Sequence, residues 1–159
     1  MVYFLKYTVL YSIMKFLLEK DRATKDIVAV SGYFDPLHIG HLEYLEMASK
    51  LGNYLCVIVN NDYQCRLKKG KSFMPEQDRL KIIQSLKMVD YAMISVDQDR
   101  TVCMSLEFLK PKIFANGGDR HNQEIPEAET CRRFDIQIVD GLGNKIRSSS
   151  SLTGLKEKT

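Results

Sequence analysis

Short apolar runs alternate along the chain with stretches in which apolar residues recur at helical spacing. The helical spacing predicts helices at about residues 41–51, 75–88, 101–109 and 126–133, with a short last helix after Ser149. The apolar runs, which predict strands, lie at residues 27–30, 54–59, 91–95, 112–115 and 136–139. Strands that alternate with helices of this length form βαβ units, with a parallel sheet covered on both faces. The pattern therefore predicts a single doubly wound α/β domain with a five-stranded parallel sheet.

The first 25 residues differ from the rest, and we predict that they form an apolar N-terminal extension to a domain at 26–159. The charge-free run at residues 7–14 is far shorter than the roughly 18 residues that a membrane span needs. A signal peptide is not predicted, because no small-residue cleavage site follows. Leu10, Ile13 and Leu17 indicate a helix that packs on the domain or on a partner chain, and we expect a homodimer. Alternatively, translation naturally starts at Met14.

Composition and charge narrow the class of protein. A chain of 159 residues with 45% hydrophobic residues is long enough for one domain with a substantial core. The net charge of +3 is too small to indicate a nucleic-acid partner, although basic residues are dense in "RLKKGK" at residues 66–71. The four cysteines form no CxxC pair, which is typical of reduced thiols in a cytoplasmic enzyme.

Two histidines stand where the first predicted strand meets the first predicted helix, in "SGYFDPLHIGHLEYLEMASKLG" at residues 31–52. His38 and His41 are three positions apart and share a face of the helix. A metal pair is disfavoured, because a helix N-terminus repels cations and His121 has no matching partner motif. In a second interpretation, the two histidines have only a structural role and cap the start of the helix. The third is a phosphate site, in which imidazole donors supplement the free backbone N–H groups and the helix dipole keeps both pKa values low.

The sequence "GYFDPLHIGH" resembles the (H/T)xGH signature of the cytidylyltransferase-like nucleotidyltransferases. The resemblance covers residues 26–155 and includes "LGNYLCVIVNND", "RLKKGK", "EQDRLKIIQSLKMVDYA", "NGGDR" and a late "SSS". The nearest likeness is to the heptose-1-phosphate adenylyltransferase domain of ADP-heptose synthesis, and the next is to glycerol-3-phosphate cytidylyltransferases. The resemblance implies a Rossmann-like fold. It also implies a reaction of an NTP with a phosphorylated sugar or alcohol that yields an NDP-linked product and pyrophosphate.

The resemblance further implies roles for residues around the histidines. His38 and His41 would hydrogen-bond the phosphates and stabilise the pentavalent transition state at the α-phosphorus. Lys68 or Lys69 of a basic loop would neutralise the acceptor's phosphate, and Arg79 would reach the nucleotide side. The remaining implied nucleotide contacts are Gly32, Tyr33, Phe34, Gly40 and Asp35, of which Asp35 would also orient a residue or a metal ion.

Two later segments are also predicted to hold the nucleotide. In "NGGDR", Gly117 and Gly118 allow close backbone approach to a flat base, and Asp119 would accept a hydrogen bond from a ribose or an exocyclic amine. Asn116, which precedes them, is also predicted to contact the nucleotide. A plain turn would use the same residues. In the relatives, hydroxyls at the start of the last helix face the β- and γ-phosphates, a role that is compatible with a serine N-cap. The matching residues here are Ser148, Ser149 and Ser150.

These motifs together predict a nucleotidyltransferase that moves a nucleoside monophosphate from an NTP to a phosphorylated sugar or small alcohol. The likeness to adenylyl-transferring relatives around "GGD" favours ATP over CTP. Mg²⁺ is the expected cofactor, carried by the triphosphate without a dedicated protein site. Three alternatives stay open: a CTP-dependent cytidylyltransferase of a polyol phosphate or phosphonate, a nucleotide-binding module without turnover, and a scaffold subunit that acts through the N-terminal helix.

Overall fold

Five strands and six helices make up the described part of this computed structural model, which comprises residues 26–118, 125–143 and 149–155. A helix follows every strand, and two helices lie between the second and third strands. The strands are β1 (Ile27–Gly32), β2 (Tyr54–Val59), β3 (Tyr91–Ile94), β4 (Ile113–Gly117) and β5 (Gln137–Leu142). The helices are α1 (Ile39–Ser49), α2 (Asp62–Lys69), α3 (Glu76–Gln84), α4 (Cys103–Leu109), α5 (Ala128–Arg133) and α6 (Ser149–Thr153). None of these helices is long and apolar enough to cross a membrane. The predicted N-terminal extension, Asp119 and Ser148 lie outside the described residues.

The order of the strands creates a switch point between β1 and β4. The sheet runs β3-β2-β1-β4-β5, and every neighbouring pair is parallel. The chain therefore moves outward from β1 to β3, then returns to the other side of β1 for β4 and β5. Connections that leave in opposite directions open a crevice beyond the carboxyl ends of β1 and β4, where such sheets bind ligands.

Strand β1 separates two hydrophobic cores. Ile27 and Ala29 face one core, which the buried apolar residues of α4 and α5 complete. Val28 and Val30 face the other, which α1 and α3 complete. Because both faces of the sheet are covered, its inner strands are apolar without alternation, which explains the continuous runs in the sequence. The predicted doubly wound α/β fold is confirmed.

The prediction of a basic loop over residues 66–71 is wrong, because α2 occupies most of it and Lys68 and Lys69 lie in its last turn. The helix buries only Gln64 and Cys65. It therefore lacks the stripe of apolar residues by which a helix is predicted from the sequence. The start of α2 does carry a sequence signal of a helix. The Asn61 side chain accepts from the Gln64 N–H over 2.9 Å, and the Gln64 carboxamide accepts from the Asn61 N–H over 3.0 Å. A capping box thus marks a helix that periodicity alone misses.

Candidate active site

A cavity of about 400 Å³ opens at the switch point between β1 and β4. Its lining brings together most of the residues predicted from the sequence: Gly32, Tyr33, His38, Gly40, His41, Lys68, Lys69, Asn116, Gly117, Gly118, Ser149 and Ser150. Phe34, Asp35 and Arg79 are buried behind this lining. Residues far apart in the sequence therefore converge on one cavity, as a binding site at the carboxyl end of a parallel sheet requires.

His38 and His41 stack on each other at the start of α1. The N–H of His38, the N-cap residue, donates to Nδ1 of His41 over 3.2 Å. The ring centroids are 3.7 Å apart with an interplanar angle of 21°, and the Phe34 ring meets His41 edge-on at 5.0 Å. Because Nδ1 of His41 accepts a hydrogen bond, the proton of the neutral ring lies on Nε2. His41 therefore offers an Nε2–H donor at the cavity.

The pKa of His41 falls from 6.5 to about 3, chiefly because burial disfavours the charged imidazolium. The positive charges of His38 and Lys68 lower this pKa further. The low value expected for His41 is therefore present, although burial rather than the helix dipole is its main cause. At neutral pH the side chain acts as an uncharged hydrogen-bond donor.

Arg79 of α3 is only 1% exposed and binds backbone instead of the cavity. Its Nη1 donates to the carbonyls of Tyr33 and Asn60 over 2.8 and 2.6 Å, and its Nε donates to that of Met74 over 3.0 Å. Nη2 pairs with the carboxylate of Asp62 at 2.8 Å. The prediction that Arg79 reaches the nucleotide side is therefore corrected: its guanidinium joins the ends of β1 and β2 to the segments around α2 and α3.

Asp35 is fully buried, and both of its carboxylate oxygens have partners. Oδ2 accepts from the Phe73 N–H over 2.8 Å, and Oδ1 accepts from the Met74 N–H over 2.7 Å. The ammonium of Lys69 lies 2.8 Å from Oδ2. A carboxylate so engaged does not fit as a ligand of Mg²⁺, which corrects the predicted metal-orienting role. Among the described residues, no group of three histidine, cysteine or acidic side chains is arranged to hold a metal ion.

The two lysines at the end of α2 have different surroundings. The side chain of Lys69 is 6% exposed and bonds both the carboxylate and, over 3.1 Å, the backbone carbonyl of Asp35. The ammonium of Lys68 lies 4.3 Å from the centroid of the Tyr33 ring. The structure therefore separates two residues that the sequence leaves equivalent. Lys69 neutralises a buried carboxylate, whereas the charge of Lys68 lies close to Tyr33 and His41.

The end of β4 and the start of α6 complete the cavity. Gly118 adopts a φ of +66°, with open space where a Cβ would lie, whereas a Cβ on Gly117 would come within 3.2 Å of the Tyr44 ring. The Ser149 hydroxyl donates to the carbonyl of Pro36 over 2.9 Å. This bond joins α6 to the loop before α1, so the predicted serine segment and the histidine segment are neighbours.

Several lining residues escaped the prediction. Tyr44 of α1 donates its hydroxyl hydrogen to the carbonyl of Ala115, which ties α1 to β4. Glu127 is 4% exposed, and its carboxylate accepts from the Val102 N–H over 3.0 Å. Both stand in helical patterns where nothing in the spacing sets them apart, so only tertiary packing reveals their location. The other such residues are Ser31, Asn60, Arg100, Val102 and Leu142.

Comparison with known protein families accounts for this geometry. A family model described as Cytidylyltransferase-like matches residues 29–152. The chain belongs to the cytidylyltransferase-like family. As a member of that family, with relatives that share more than 30% identity, it is a nucleotidyltransferase.

Individual members of the cytidylyltransferase-like group resemble the chain over most of its length. The FAD synthase of Ferroglobus placidus is 39% identical over 110 residues, which are 69% of this chain and 70% of that protein. The bifunctional protein HldE of a Nitratiruptor species is 33% identical over 133 residues, 81% of this chain but 28% of HldE. A lipopolysaccharide core biosynthesis protein from Thermoplasma volcanium has a TM-score of 0.62 at 32% identity, covering 74% of this chain and 97% of its own.

Replacing Arg79 by alanine should lower the free energy of unfolding by about 3–5 kcal/mol. The change leaves the Asp62 carboxylate and three backbone carbonyls without their donor. Urea denaturation followed by circular dichroism measures the loss. Lys81→Ala, at an exposed position of the same helix, is the matched control and should stay within about 0.5 kcal/mol of wild type. A loss for Arg79→Ala as small as that of the control would contradict the network.

Acid should destabilise the wild type more than a His41→Asn variant. Between pH 6.5 and 3 the unfolded chain binds a proton at His41 that the folded chain does not, so stability falls as pH falls through this window. From pH 7.5 to pH 5 the extra loss should approach about 2 kcal/mol, since one pH unit per proton is worth about 1.4 kcal/mol. Other titrating groups are common to both proteins and largely cancel. Parallel stability curves over this range would show that His41 is protonated equally in both states.

Proposed function

We propose that the chain transfers a nucleoside monophosphate from an NTP, with ATP favoured, to a phosphorylated sugar or small alcohol and releases pyrophosphate. The stacked pair of His38 and His41 at the N-terminal end of α1 is the observation that carries this proposal. Free backbone N–H groups and the helix dipole attract anions there, and the imidazoles add directional donors. Lys68 and Ser149 line the same cavity, so it suits a chain of phosphates.

In the proposed reaction, an oxygen of the acceptor's phosphate attacks the α-phosphorus of the NTP. The new P–O bond forms while the bond from the α-phosphorus to the bridging oxygen breaks, and pyrophosphate leaves with that electron pair. Negative charge on the α-phosphate oxygens is stabilised by the Nε2–H of His41 and by the first N–H groups of α1. The acceptor phosphate is already anionic at neutral pH, so no side chain has to remove a proton from it.

Three observations support ATP as the donor. One relative is a FAD synthase, and FAD contains an adenylyl group joined to a flavin phosphate. The HldE relatives are heptose-7-phosphate kinases/heptose-1-phosphate adenylyltransferases, although this chain spans only 28% of the Nitratiruptor HldE. The open space beside Gly118 also leaves room for a flat base. Mg²⁺ would enter with the triphosphate, because it binds mainly through substrate phosphates in such sites.

The acceptor's phosphate is assigned to Lys68. Lys69 is held by Asp35 over 2.8 Å, so moving its ammonium to a substrate would expose a buried carboxylate without its partner. Lys68 lies in the same last turn of α2, lines the cavity and lies close enough to His41 to lower the pKa of that imidazole. Its charge would therefore lie near the reacting phosphorus.

Lys68→Ala should raise KM for the acceptor roughly ten- to a hundredfold and leave KM for the NTP nearly unchanged, because a charge-assisted bond to one substrate is lost. Steady-state kinetics with each substrate varied in turn separates the two constants. Lys71→Ala, at an exposed position just beyond α2, is the control. Equal increases in both KM values would instead indicate that Lys68 binds the triphosphate.

Pyrophosphate release is the direct test of the proposed function. Wild-type protein, supplied with Mg²⁺ and either ATP or CTP, is assayed with a panel of sugar phosphates, polyol phosphates and FMN. His41→Ala should lower kcat on the order of 10²–10³-fold while nucleotide affinity persists, since one transition-state donor is removed. Glu46→Ala, an exposed change on the same helix, should leave kcat unaltered. Turnover with CTP alone would refute the preference for ATP, and full activity without both histidines would refute the mechanism.

A further inference from the structure

Three buried residues from separate segments form one wall of the cavity: Asn60, Val102 and Glu127. Asn60 follows β2, Val102 precedes α4, and Glu127 precedes α5. The side chains of Asn60 and Glu127 carry polar groups, although each residue is only 4% exposed. Buried polar groups in the lining of a cavity indicate what the cavity binds.

Gln64 of α2 links the members of this wall. Its Oε1 accepts from Nδ2 of Asn60 over 3.0 Å, and its Nε2 donates to the carbonyl of Thr101 over 2.7 Å. The next residue, Val102, donates its N–H to Oε1 of Glu127 over 3.0 Å. This chain of hydrogen bonds runs from Asn60 to Glu127, so the two side chains belong to one continuous stretch of the cavity lining.

The orientation of the Asn60 carboxamide follows from that of Gln64. Oε1 of Gln64 also accepts from the backbone N–H of Asn61 over 3.0 Å, so the Asn60 atom that faces it has to be the donor Nδ2. The N–H of Asn60 donates to the Gly32 carbonyl over 2.9 Å, and its own carbonyl accepts from Arg79. Among the described residues these bonds leave Oδ1, a hydrogen-bond acceptor, as the polar atom of Asn60 without a partner.

Glu127 supplies a second oxygen. Its Oε1 is bonded to Val102, whereas Oε2 is buried and has no hydrogen-bond partner among the described residues. A buried oxygen without a donor costs folding free energy, and a donor on a bound molecule would recover that cost. An ionised carboxylate and an amide oxygen only accept hydrogen bonds, so the molecule has to bring O–H or N–H groups.

We infer that this wall binds hydroxyl groups of the phosphorylated substrate, which donate to Oδ1 of Asn60 and Oε2 of Glu127. The inference rests on the proposed function, which places the phosphates at the N-terminal end of α1. The negative charge of Glu127 disfavours phosphate on the wall itself, so the uncharged part of the substrate fits there. The substrate class is then a sugar or polyol phosphate, because an alkyl phosphate would leave both oxygens unpaired.

The position of the wall in the sheet favours this substrate over the ribose of the NTP. Asn60 and Val102 follow β2 and β3, which lie on one side of β1 in the strand order. Gly118, beside which the base is proposed to bind, follows β4 on the other side of β1. The two substrates would thus approach the α-phosphorus from opposite sides of the switch point.

Two matched pairs of probes test the preference for hydroxyl groups. Glucose 1-phosphate is compared with cyclohexyl phosphate, and glycerol 3-phosphate with propyl phosphate, so that the members of each pair share a phosphate and differ chiefly in hydroxyls. NMR titration of the wild-type protein measures binding without turnover. The hydroxylated member of at least one pair should bind at least about tenfold more tightly. Equal affinities within both pairs, or no binding of any probe, would overturn the inference.

Variants of the two oxygens should reduce this preference, expressed as the ratio of the two affinities within a pair. Asn60→Ala should lower the ratio roughly three- to tenfold, since one hydrogen bond to the hydroxylated probe is lost. Glu127→Gln should lower it by a similar factor, because a neutral amide replaces a charged oxygen while the Val102 N–H keeps a partner. General effects on phosphate binding cancel in the ratio. Thermal unfolding establishes that both variants are folded, and an unchanged ratio in both would overturn the inference.

The matched controls are Asn53→Ala and Glu129→Gln, at exposed positions after α1 and on α5. Both should keep the wild-type ratio, and a reduction as large as that of the wall variants would overturn the inference. ATP, 2′-deoxyATP and 3′-deoxyATP should keep their relative affinities in Asn60→Ala and Glu127→Gln. A loss confined to ATP would show that the wall binds ribose instead. Failure of every phosphorylated substrate to yield pyrophosphate would refute the proposed function, while the binding ratios still decide what the wall recognises.

Discussion

The guanidinium of Arg79 sits where the segments that build the cavity meet. Its donors reach the carbonyls that follow β1 and β2, the carbonyl of Met74 and the carboxylate of Asp62. These carbonyls lie at the carboxyl ends of strands, where the ladder stops and backbone oxygens lose their sheet partners. A buried carbonyl without a hydrogen-bond donor costs folding free energy. The arginine therefore stabilises the turns by which β1 and β2 end at the cavity. The loop that carries Tyr33 and leads to His38 depends on it.

Burial and ion pairing in turn give the cations around the cavity different surroundings. Asp35 and Asp62 neutralise Lys69 and Arg79 behind the cavity, and burial keeps His41 uncharged. The positive groups that line the cavity therefore do different work. Lys69 and Arg79, which carboxylates hold, maintain the fold, whereas under the proposed function Lys68 supplies charge and the uncharged His41 supplies a donor where phosphate would bind. A residue's charge in the sequence does not reveal this division.

Prediction from the sequence succeeded where local pattern determines structure. Apolar runs predicted all five strands, and the runs of the inner strands are continuous because a parallel sheet covered on both faces excludes polar residues from its interior. The histidine, glycine and serine segments were found through the resemblance to nucleotidyltransferases, and the sheet brings them together because strand ends gather at one edge. Helix α2 was missed, since eight mostly polar residues form it and its capping box is its one clear signal. Arg79 was misassigned because an arginine that binds buried carbonyls and one that binds a nucleotide look identical in a sequence.

The basicity of His41 limits the kinds of acceptor that suit the site. An imidazole whose pKa is about 3 is a poor base for removing a proton from an alcohol near neutral pH. An acceptor that already carries an anionic phosphate needs no base, whereas an unphosphorylated alcohol would need one. The geometry and the electrostatics of this cavity therefore favour phosphate as the attacking group, whatever molecule carries it.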